Sequence, residues 1–471
     1  MPQQLFVNRE DELVFLEERY RSDHPELLVI SGRRRVGKTE LLLRFMDEKP
    51  GIYYLASEEG DAPNIRDASS AFARFLDDPN FSRISYGSWE ALFTAFINHR
   101  EFIRRSLEQK VVIALDEFPA LIAHNRAIPS LFQKIWDLAL SHAPVMLILS
   151  GSSISIMETA VLGYTSPLYG RRTGQWQVEP LHYPCLRKFL PYREEDIAAT
   201  WFVLGGIPGY LQRFDPSVSF WQNVTDHMLR KGAYLYGEAE ILLNYEFREP
   251  GNYMSIFRAV ASGCTTVAKI CMATGLDKSM VSKYLQVLSR LHIVRDEIPV
   301  TASPEFRRRQ YRIVDPYLHF WFRFIYPNRI DLEAGRTNDV VDRISRDFPV
   351  YCGELFEYLV HDLVRNRLLL STQRFTRLGR WWFREQEIDL VGLDEGSGNS
   401  LFIECKWSSL TKQEASAILA RLREKARDVR WRDGTRSEQY CLIARSVPGK
   451  GELRDEGYLV FDLEDIAEIG T

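Results

Sequence analysis

The stretch "SGRRRVGKTELL", residues 31–42, constrains the fold of this chain more than any other feature. It matches all four fixed positions of the phosphate-binding loop G-x-x-x-x-G-K-[ST]. An apolar run, "ELLVI", precedes the loop and a leucine-rich segment follows it, which is the strand–loop–helix context that the motif requires. We therefore expect this loop to bind ATP through Gly32, Arg33, Arg34, Arg35, Val36, Gly37, Lys38, Thr39 and Glu40.

Each position has a chemical reason. The glycines let backbone N–H groups close around the phosphates, Lys38 reaches the β- and γ-phosphate oxygens, and the Thr39 hydroxyl holds Mg²⁺. A second apolar strand, in "QKVVIALDEFPAL", ends in Asp116 and Glu117. Asp116 is expected to order the Mg²⁺ shell and Glu117 to polarise the attacking water, which indicates a hydrolysing ATPase. The competing interpretation is a solvated pair of acids that follows a core strand.

A third strand, in "APVMLILSGSSIS", ends in small polar residues. Ser150 and Ser152 lie where a hydroxyl can sense the γ-phosphate, and we assign Ser150 to the nucleotide site. Farther along, Arg171 and Arg172 follow a glycine and can stabilise transition-state charge, in cis or on a neighbouring subunit, although paired arginines are also common surface charge. Strands that alternate with helices predict an α/β unit with a mostly parallel sheet.

The whole-chain numbers set wider limits. A chain of 471 residues predicts about three domains, and a net charge of −4 requires any DNA-binding surface to be local. The six cysteines form no C-x-x-C pair, which favours a reduced, cytoplasmic setting without structural zinc. The N-terminus lacks a signal peptide and the longest apolar runs have the length of strands, so we expect no membrane span.

The motifs together resemble the archaeal-type ATPases of the STAND/AAA+ assemblage over nearly the whole chain. The resemblance rests on "FVNREDELVFLEERY", the phosphate-binding loop, "LDEFPAL", "LSGSS", "SPLYGRRTG", "LGGIPGYL" and "VDPYLHFWFRFI". It implies that Phe6, Asn8 and Arg9 lie near the adenine and that a helical lid around "LGGIPGYL" closes over the nucleotide. It also implies a switch that assembles when ATP is bound; the residues themselves leave both a monomer and a homo-oligomer open.

Three helical segments and a hairpin follow the lid, a pattern typical of a winged helix-turn-helix. Residues 263–315 carry nine Lys and Arg against five Asp and Glu, a net charge of +4. Lys278, Ser282 and Lys283 are expected at the front of the third helix and the Arg307–Arg309 run on the wing, where they can contact DNA phosphates. Winged helices also bind proteins, and that alternative stays open. The aromatic stretch 314–327 is expected to be core or interface.

The C-terminal part contains "EIDLVGLDEGSGNSLFIECKW", which predicts two strands joined by a turn. Alternation places Glu404 and Lys406 on one face of the second strand, and Asp389 on the paired strand can share that face. With Glu357 from a preceding helix, the carboxylates form a candidate Mg²⁺ site beside an ammonium group.

This constellation resembles the PD-(D/E)XK nucleases, most closely their Holliday-junction-resolvase-like branch. The resemblance implies that Asp389 and Glu404 are metal ligands, Lys406 is the catalytic lysine and Glu357 is the helical acid. The usual proline before the first aspartate is replaced by Ile388. Many relatives of such ATPases carry a nuclease-like domain that has lost one or more of these residues, so a DNA-binding or purely structural remnant is the alternative.

We therefore predict a multidomain α/β protein: a P-loop ATPase of the type with a second acid, a helical lid, a winged helix-turn-helix and an α/β restriction-endonuclease-like domain. The expected boundaries are 1–180, 181–250, 251–327, a connector 328–348 and 349–471. The predicted function is an ATP-hydrolysing regulatory ATPase coupled to a Mg²⁺-dependent DNA nuclease domain of the same chain, in DNA processing or defence. ATP and Mg²⁺ are the expected cofactors, Mn²⁺ can substitute at the nuclease site, and DNA is the expected partner. The alternatives are an ATP-switched signalling protein with an inactive nuclease-like domain and an AAA+ motor that remodels branched DNA.

Overall fold

The computed structural model describes residues 6–247 and 249–470. These residues form two compact units. The first comprises the described residues up to Leu181 together with Ile207–Gly209, and the second comprises His182–Gly206 and the described residues from Tyr210 onward. The chain thus leaves the first unit at the start of the predicted lid and returns to it for three residues.

The first unit is built on a five-stranded sheet in the order β2-β3-β4-β1-β5, and every strand pair is parallel. This confirms the predicted α/β unit with a parallel sheet. The strands are β1 (Glu26–Ser31), β2 (Gly51–Leu55), β3 (Val111–Asp116), β4 (Val145–Gly151) and β5 (Gly174–Gln177). The α-helices are α1 (Glu10–Tyr20), α2 (Lys38–Met46), α3 (Asp61–Leu76), α4 (Trp89–Ile97), α5 (Arg100–Glu108), α6 (Phe118–His124), α7 (Ile128–Leu138) and α8 (Ile154–Ile156).

The three central strands explain where the site lies. Every residue of β1, β3 and β4 is buried, as expected for strands that helices cover on both faces. The carboxyl ends of these parallel strands meet at one edge of the sheet, which is where ligands bind in open α/β sheets. The phosphate-binding loop, Asp116 and the serines after β4 therefore converge there.

The second unit begins with helices and a two-stranded hairpin. Its helices are α9 (Glu194–Leu204), α10 (Pro208–Leu211, whose first two residues belong to the first unit), α11 (Phe220–Val224), α12 (Glu238–Glu246), α13 (Pro250–Ala261), α14 (Val267–Thr274) and α15 (Lys278–Arg290). Antiparallel strands β6 (Val294–Glu297) and β7 (Gln310–Ile313) follow. The side chains of Thr266 and Asp277 cap α14 and α15, accepting from Lys269 and Met280 backbone N–H groups. The predicted order of three helices and a hairpin is confirmed.

The rest of the second unit surrounds a five-stranded sheet in the order β12-β11-β10-β9-β8. The β8–β9 and β9–β10 pairs are antiparallel, which confirms the predicted hairpin, and the β10–β11 and β11–β12 pairs are parallel. The elements are α16 (Pro316–Phe320), α17 (Arg329–Glu333), α18 (Thr337–Arg365), β8 (Arg377–Phe383), β9 (Gln386–Leu393), β10 (Asn399–Ser409), α19 (Lys412–Ala426), β11 (Ser437–Ser446), α20 (Lys450–Asp455), β12 (Leu459–Phe461) and α21 (Leu463–Ala467).

Helix α18 differs from the expectation. The segment 328–348 was expected as a connector, but its residues from Thr337 onward belong to the 29-residue helix that also carries Glu357. Pro349 lies inside this helix, where a proline removes one backbone hydrogen bond. Eleven buried side chains along α18 offset that loss by packing.

The aromatic stretch before α18 is buried. Tyr317, Phe320 and Trp321 are almost fully inaccessible to solvent, and the phenol of Tyr317 donates to the Leu235 carbonyl oxygen. The prediction of core or interface is confirmed as core. Across the described part of the chain, no helix combines the length and the hydropathy that crossing a membrane would need.

Candidate functional site

The phosphate-binding loop needs glycine at its two fixed positions. Gly32 has φ = +154°, and a Cβ atom there would lie 2.5 Å from the Val178 carbonyl oxygen. Gly37 has φ = +101° and directly precedes α2. Since L-residues with a side chain rarely adopt such backbone angles, the glycines determine the course of the loop into the helix N-terminus.

Lys38 is buried in this loop and bound by oxygen atoms. Its Nζ atom lies 2.9 Å from the Gly32 carbonyl oxygen, 3.0 Å from the Arg33 carbonyl oxygen and 2.9 Å from Ser152 Oγ. The ammonium group is therefore held against the backbone of the loop, and its contact with the β- and γ-phosphates stays a prediction.

The two groups predicted to hold Mg²⁺ are in contact. Thr39 Oγ1 donates to Asp116 Oδ2 at 2.7 Å, and the Tyr53 hydroxyl donates to the same oxygen at 2.8 Å. Burial, and then the charge of Asp116, raise the pKa of the Tyr53 phenol, so that it stays a hydrogen-bond donor. Sequence reasoning missed Tyr53, because the pairing of β2 with β3, which brings its hydroxyl to Asp116, is not visible in the sequence.

Glu117 follows Asp116 in a strained conformation, with φ = +51°. Ser152 Oγ donates to Glu117 Oε1 at 2.5 Å and accepts from Lys38, so one hydroxyl joins the second acid to the loop lysine. The Ser150 hydroxyl is buried and has no hydrogen-bond partner among the described residues. Of Ser150 and Ser152, the structure therefore places only Ser152 in hydrogen-bond contact with Lys38 and Glu117.

The segment predicted near the adenine contacts the loop through Arg9. The Arg9 guanidinium donates to the Val36 carbonyl oxygen at 2.8 Å and pairs with Glu12 at 2.9 Å. Asn8 has φ = +54°, and Phe6 is half-buried. Arg9 thus stabilises the loop backbone, and the adenine contacts of Phe6 and Asn8 stay a prediction.

The two candidate arginine fingers are bound elsewhere. Arg171 pairs with Asp137 at 3.1 Å. Arg172 donates to the Leu162 carbonyl oxygen at 2.8 Å, and its guanidinium carbon lies 4.9 Å from the centre of the Tyr169 ring. A role for either at the γ-phosphate stays a prediction that requires these contacts to break.

A segment of the predicted lid reaches the loop. The Gly209 N–H donates to the Arg35 carbonyl oxygen at 3.2 Å, and a Cβ atom on Gly209 would lie 2.8 Å from Arg35 Cβ. Ile207–Gly209 belongs to the first unit although the chain on both sides belongs to the second. This segment of the predicted lid therefore contacts the phosphate-binding loop within the first unit.

The second candidate site lies on β9 and β10. Lys406 Nζ is 2.9 Å from Glu404 Oε1 and 3.9 Å from Asp389 Oδ2, and the Cys405 N–H donates to Asp389 Oδ2 at 2.8 Å. Both carboxylates are buried, with 7% exposure each. The structure thus brings together the aspartate, the glutamate and the lysine of the predicted cluster.

Glu357 is held differently from the prediction. It forms an ion pair with Arg380 of β8, while Glu404 accepts at 3.2 Å from Lys425 of α19 as well as from Lys406. Within residues 6–247 and 249–470, no group of three or more His, Cys, Asp or Glu side chains is arranged to hold a metal ion. The predicted three-carboxylate ligand set is therefore not preformed, because cations of the chain already bind its oxygens.

The charges of the cluster act on one another. Burial, and then the charges of Glu357 and Glu404, raise the pKa of Asp389 well above its usual range. Burial opposes the charged form of Lys406, but Asp389 and Glu404 outweigh it and raise the pKa of this lysine. A buried aspartate with a raised pKa beside a charged lysine is the kind of perturbed group that concentrates at functional sites.

Comparison with protein families finds two matches. Residues 6–214 match an ATPase domain predominantly from archaea, and residues 321–418 match DUF234, described as archaeal and bacterial proteins of unknown function. The first match contains the phosphate-binding loop, Asp116, Glu117 and Ser152. The second contains Glu357, Asp389, Glu404 and Lys406.

The chain is also similar to individual proteins and to a solved structure. The chain is 33% identical over 466 residues to "Uncharacterized protein MJECL04" of Methanocaldococcus jannaschii, covering 98% of this chain and 100% of that one. "Uncharacterized ATP-binding protein MJ0423" of the same organism is 47% identical over 45 residues, 10% of this chain and 76% of that protein. The Walker-type ATPase PABY2304 of Pyrococcus abyssi has a similar structure, with a TM-score of 0.50 and 24% identity over 69% of this chain and 98% of that one. This last likeness concerns the fold.

Proposed function

We propose a function from the premise that the chain belongs to the same family as the Methanocaldococcus jannaschii protein MJECL04, with an archaeal ATPase domain over residues 6–214. In this proposal, ATP binding and hydrolysis in the first unit regulate a Mg²⁺-dependent DNA nuclease in the second, for DNA processing or defence. The observation that carries the nuclease part is the convergence of Asp389, Glu404 and Lys406 on adjacent strands.

The ATPase part has a residue for each step. The loop N–H groups and Lys38 bind the phosphates, and Thr39 and Asp116 would hold Mg²⁺. Glu117 orients the attacking water, and Ser152 connects it to Lys38. Hydrolysis therefore alters the charge balance at the loop that Gly209 touches, which supports a lid that responds to the nucleotide state.

The donor atoms of the second site suit a hard divalent cation. Carboxylate oxygens from Asp389 and Glu404 face the same space, and a cation, the Lys406 ammonium, already lies against both. Mg²⁺ or Mn²⁺ bound there by Asp389, Glu404 and Glu357 would lower the pKa of a bound water. Lys406 would then offset the negative charge of the phosphodiester, while Lys425 holds Glu404 in place.

The pKa shift at Asp389 predicts a pH dependence of metal binding. Because its pKa is raised, the carboxyl group is increasingly protonated as pH falls toward that pKa, and protons compete with the metal. Thermal unfolding with and without Mn²⁺ is expected to show a larger stabilisation at pH 8 than at pH 6. Asp389→Asn should remove the difference. An equal Mn²⁺ effect in Asp389→Asn and wild type at both pH values would contradict the assignment of this ligand.

The helices and hairpin before α16 support DNA binding by a winged helix. Lys278, Ser282 and Lys283 are exposed on α15, and Arg307 and Arg308 are exposed before β7. Arg309 instead pairs with Asp296 across the hairpin, so it is less available than the sequence indicated. These exposed cations are free of burial and can contact phosphates.

Lys278→Ala and Lys283→Ala are expected to weaken binding to duplex DNA. Each loss of a phosphate contact should reduce the slope of log Kd against log salt by about 0.9. Lys231→Ala, which removes an exposed lysine that pairs with Glu333, is the matched control. Fluorescence anisotropy measures all three; equal losses in the control and the α15 variants would argue against a specific DNA-binding helix.

The test of the nuclease function is incubation of end-labelled linear, forked and junction DNA with the full chain in Mg²⁺ or Mn²⁺. We expect cleavage that EDTA stops.

One observation favours a second candidate function, an ATP-switched protein that binds without cutting: Glu357 and Glu404 are both ion-paired with cations of the chain. Measurable ATP turnover without cleavage of any substrate would support that second function.

A further inference from the structure

A cavity of about 800 Å³ adjoins the Asp389 cluster inside the second unit. One wall is formed by Arg295 of β6 and by the loop that follows this strand, which includes Val300. The other walls are α18, with Glu357, His361 and Arg365, and the strands β8 and β9, the latter contributing Asp389. We call this space the wing cavity. Its volume falls in the range of about 300–1,000 Å³ that is typical of ligand pockets, which suits one or two nucleotides of a single strand better than a duplex.

The hairpin loop is fixed against the nuclease-like sheet. The Val300 N–H donates to the Arg380 carbonyl oxygen at 2.8 Å, on the edge strand β8. Val300 also packs against the core beneath that sheet. The wing is thereby held so that Arg295 and Asp389 line one space, although the winged-helix and nuclease-like parts are separate in the sequence.

One side of the wing cavity carries two arginines, Arg295 and Arg365. Glu357, Tyr358, His361 and Arg365 follow one face of α18 at helical spacing. Neither Arg295 nor Arg365 forms an ion pair or a side-chain hydrogen bond with any residue in the described part of the chain. Burial, and then the charges of Arg295 and Arg365, lower the pKa of His361 to about 4, so both guanidinium groups lie close enough to act on this ring.

We propose that the wing cavity binds the phosphate backbone of a single DNA strand, with Arg295, His361 and Arg365 contacting phosphates beside the one that the Asp389 cluster would cleave. Two guanidinium groups without an ion pair at one side and the buried Asp389 carboxylate at the other match a strand whose bound phosphates and scissile phosphate are neighbours. The inference rests on the proposed nuclease function, and it makes the hairpin part of the substrate site.

Binding in EDTA separates this inference from cleavage. The probe is a fluorescein-labelled oligothymidylate of about six nucleotides, within the range of short single-strand sites. Arg295→Gln and Arg365→Gln are each expected to weaken binding about tenfold and to reduce the salt slope by about 0.7. Arg367→Gln is the matched control, because Arg367 is exposed two residues from Arg365 and does not line the cavity.

Unchanged binding in both variants, or an equal loss in Arg367→Gln, overturns the inference whatever the cleavage assay shows. Competition by an unlabelled duplex as strong as by the single strand also overturns it. If Arg295→Gln and Arg365→Gln lose binding while wild type cleaves no DNA, the strand site stands and the nuclease function fails. The two proposals thus fail in distinguishable ways.

Discussion

Glu117→Gln is expected to reduce ATP hydrolysis by about 100-fold or more while ATP binding stays within a few-fold of wild type. The reason is that Gln keeps the size of the side chain and can still accept the hydrogen bond from Ser152, but it cannot act as a base toward water. Lys38→Ala, in contrast, should weaken ATP binding itself, because it removes the ammonium group that the loop holds for the phosphates.

Phosphate release and binding of a fluorescent ATP analogue measure the two effects separately. Glu58→Gln is the matched control, since Glu58 is exposed in the same unit and away from the loop contacts described above. A Glu117→Gln variant that hydrolyses ATP at the wild-type rate would show that another group orients the water, and Ser152 would be the next residue to replace.

Lys406→Ala is expected to reduce DNA cleavage by about 100-fold or more, because it removes the positive charge closest to both buried carboxylates. ATP hydrolysis should be unaffected, since the change lies in the other unit. The Glu404 carboxylate retains Lys425 as a partner, so the variant is expected to fold. Cleavage of end-labelled DNA and circular dichroism test these expectations together.

Lys412→Ala is the control for this variant. Lys412 is a half-exposed lysine of α19 that pairs with Glu452 at 2.6 Å, so its loss removes an equal charge outside the cluster. Cleavage that survives in Lys406→Ala but is lost in Lys412→Ala would place the active site elsewhere. Cleavage retained in both variants would remove Lys406 from the mechanism.

The features that the sequence predicted best are local in the chain. The loop from Gly32 to Thr39, the strand that ends at Asp116 and the hairpin that carries Asp389 and Lys406 each combine a motif with a matching hydrophobic pattern. Period-two alternation was enough to place Glu404 and Lys406 on one face, and they are in contact.

Several features that the sequence did not predict depend on contacts between residues that are far apart in the chain. Lys425 binds Glu404 from 21 residues away, and Arg380 binds Glu357 from 23 residues away; no motif marks either cation. Ser152 rather than Ser150 contacts the site because Ser150 lies within the buried strand β4, whereas Ser152 follows the end of this strand. The continuity of α18 through Pro349 was hidden because proline usually ends or kinks a helix.

Control of the nuclease by the ATPase can be measured as the rate of DNA cleavage with and without ATP, in wild type and in Lys38→Ala. We expect ATP to change the rate in wild type and to have no effect in Lys38→Ala, while both proteins cut DNA in Mg²⁺. An identical rate with and without ATP in wild type, on DNA that the protein does cleave, would contradict the coupling.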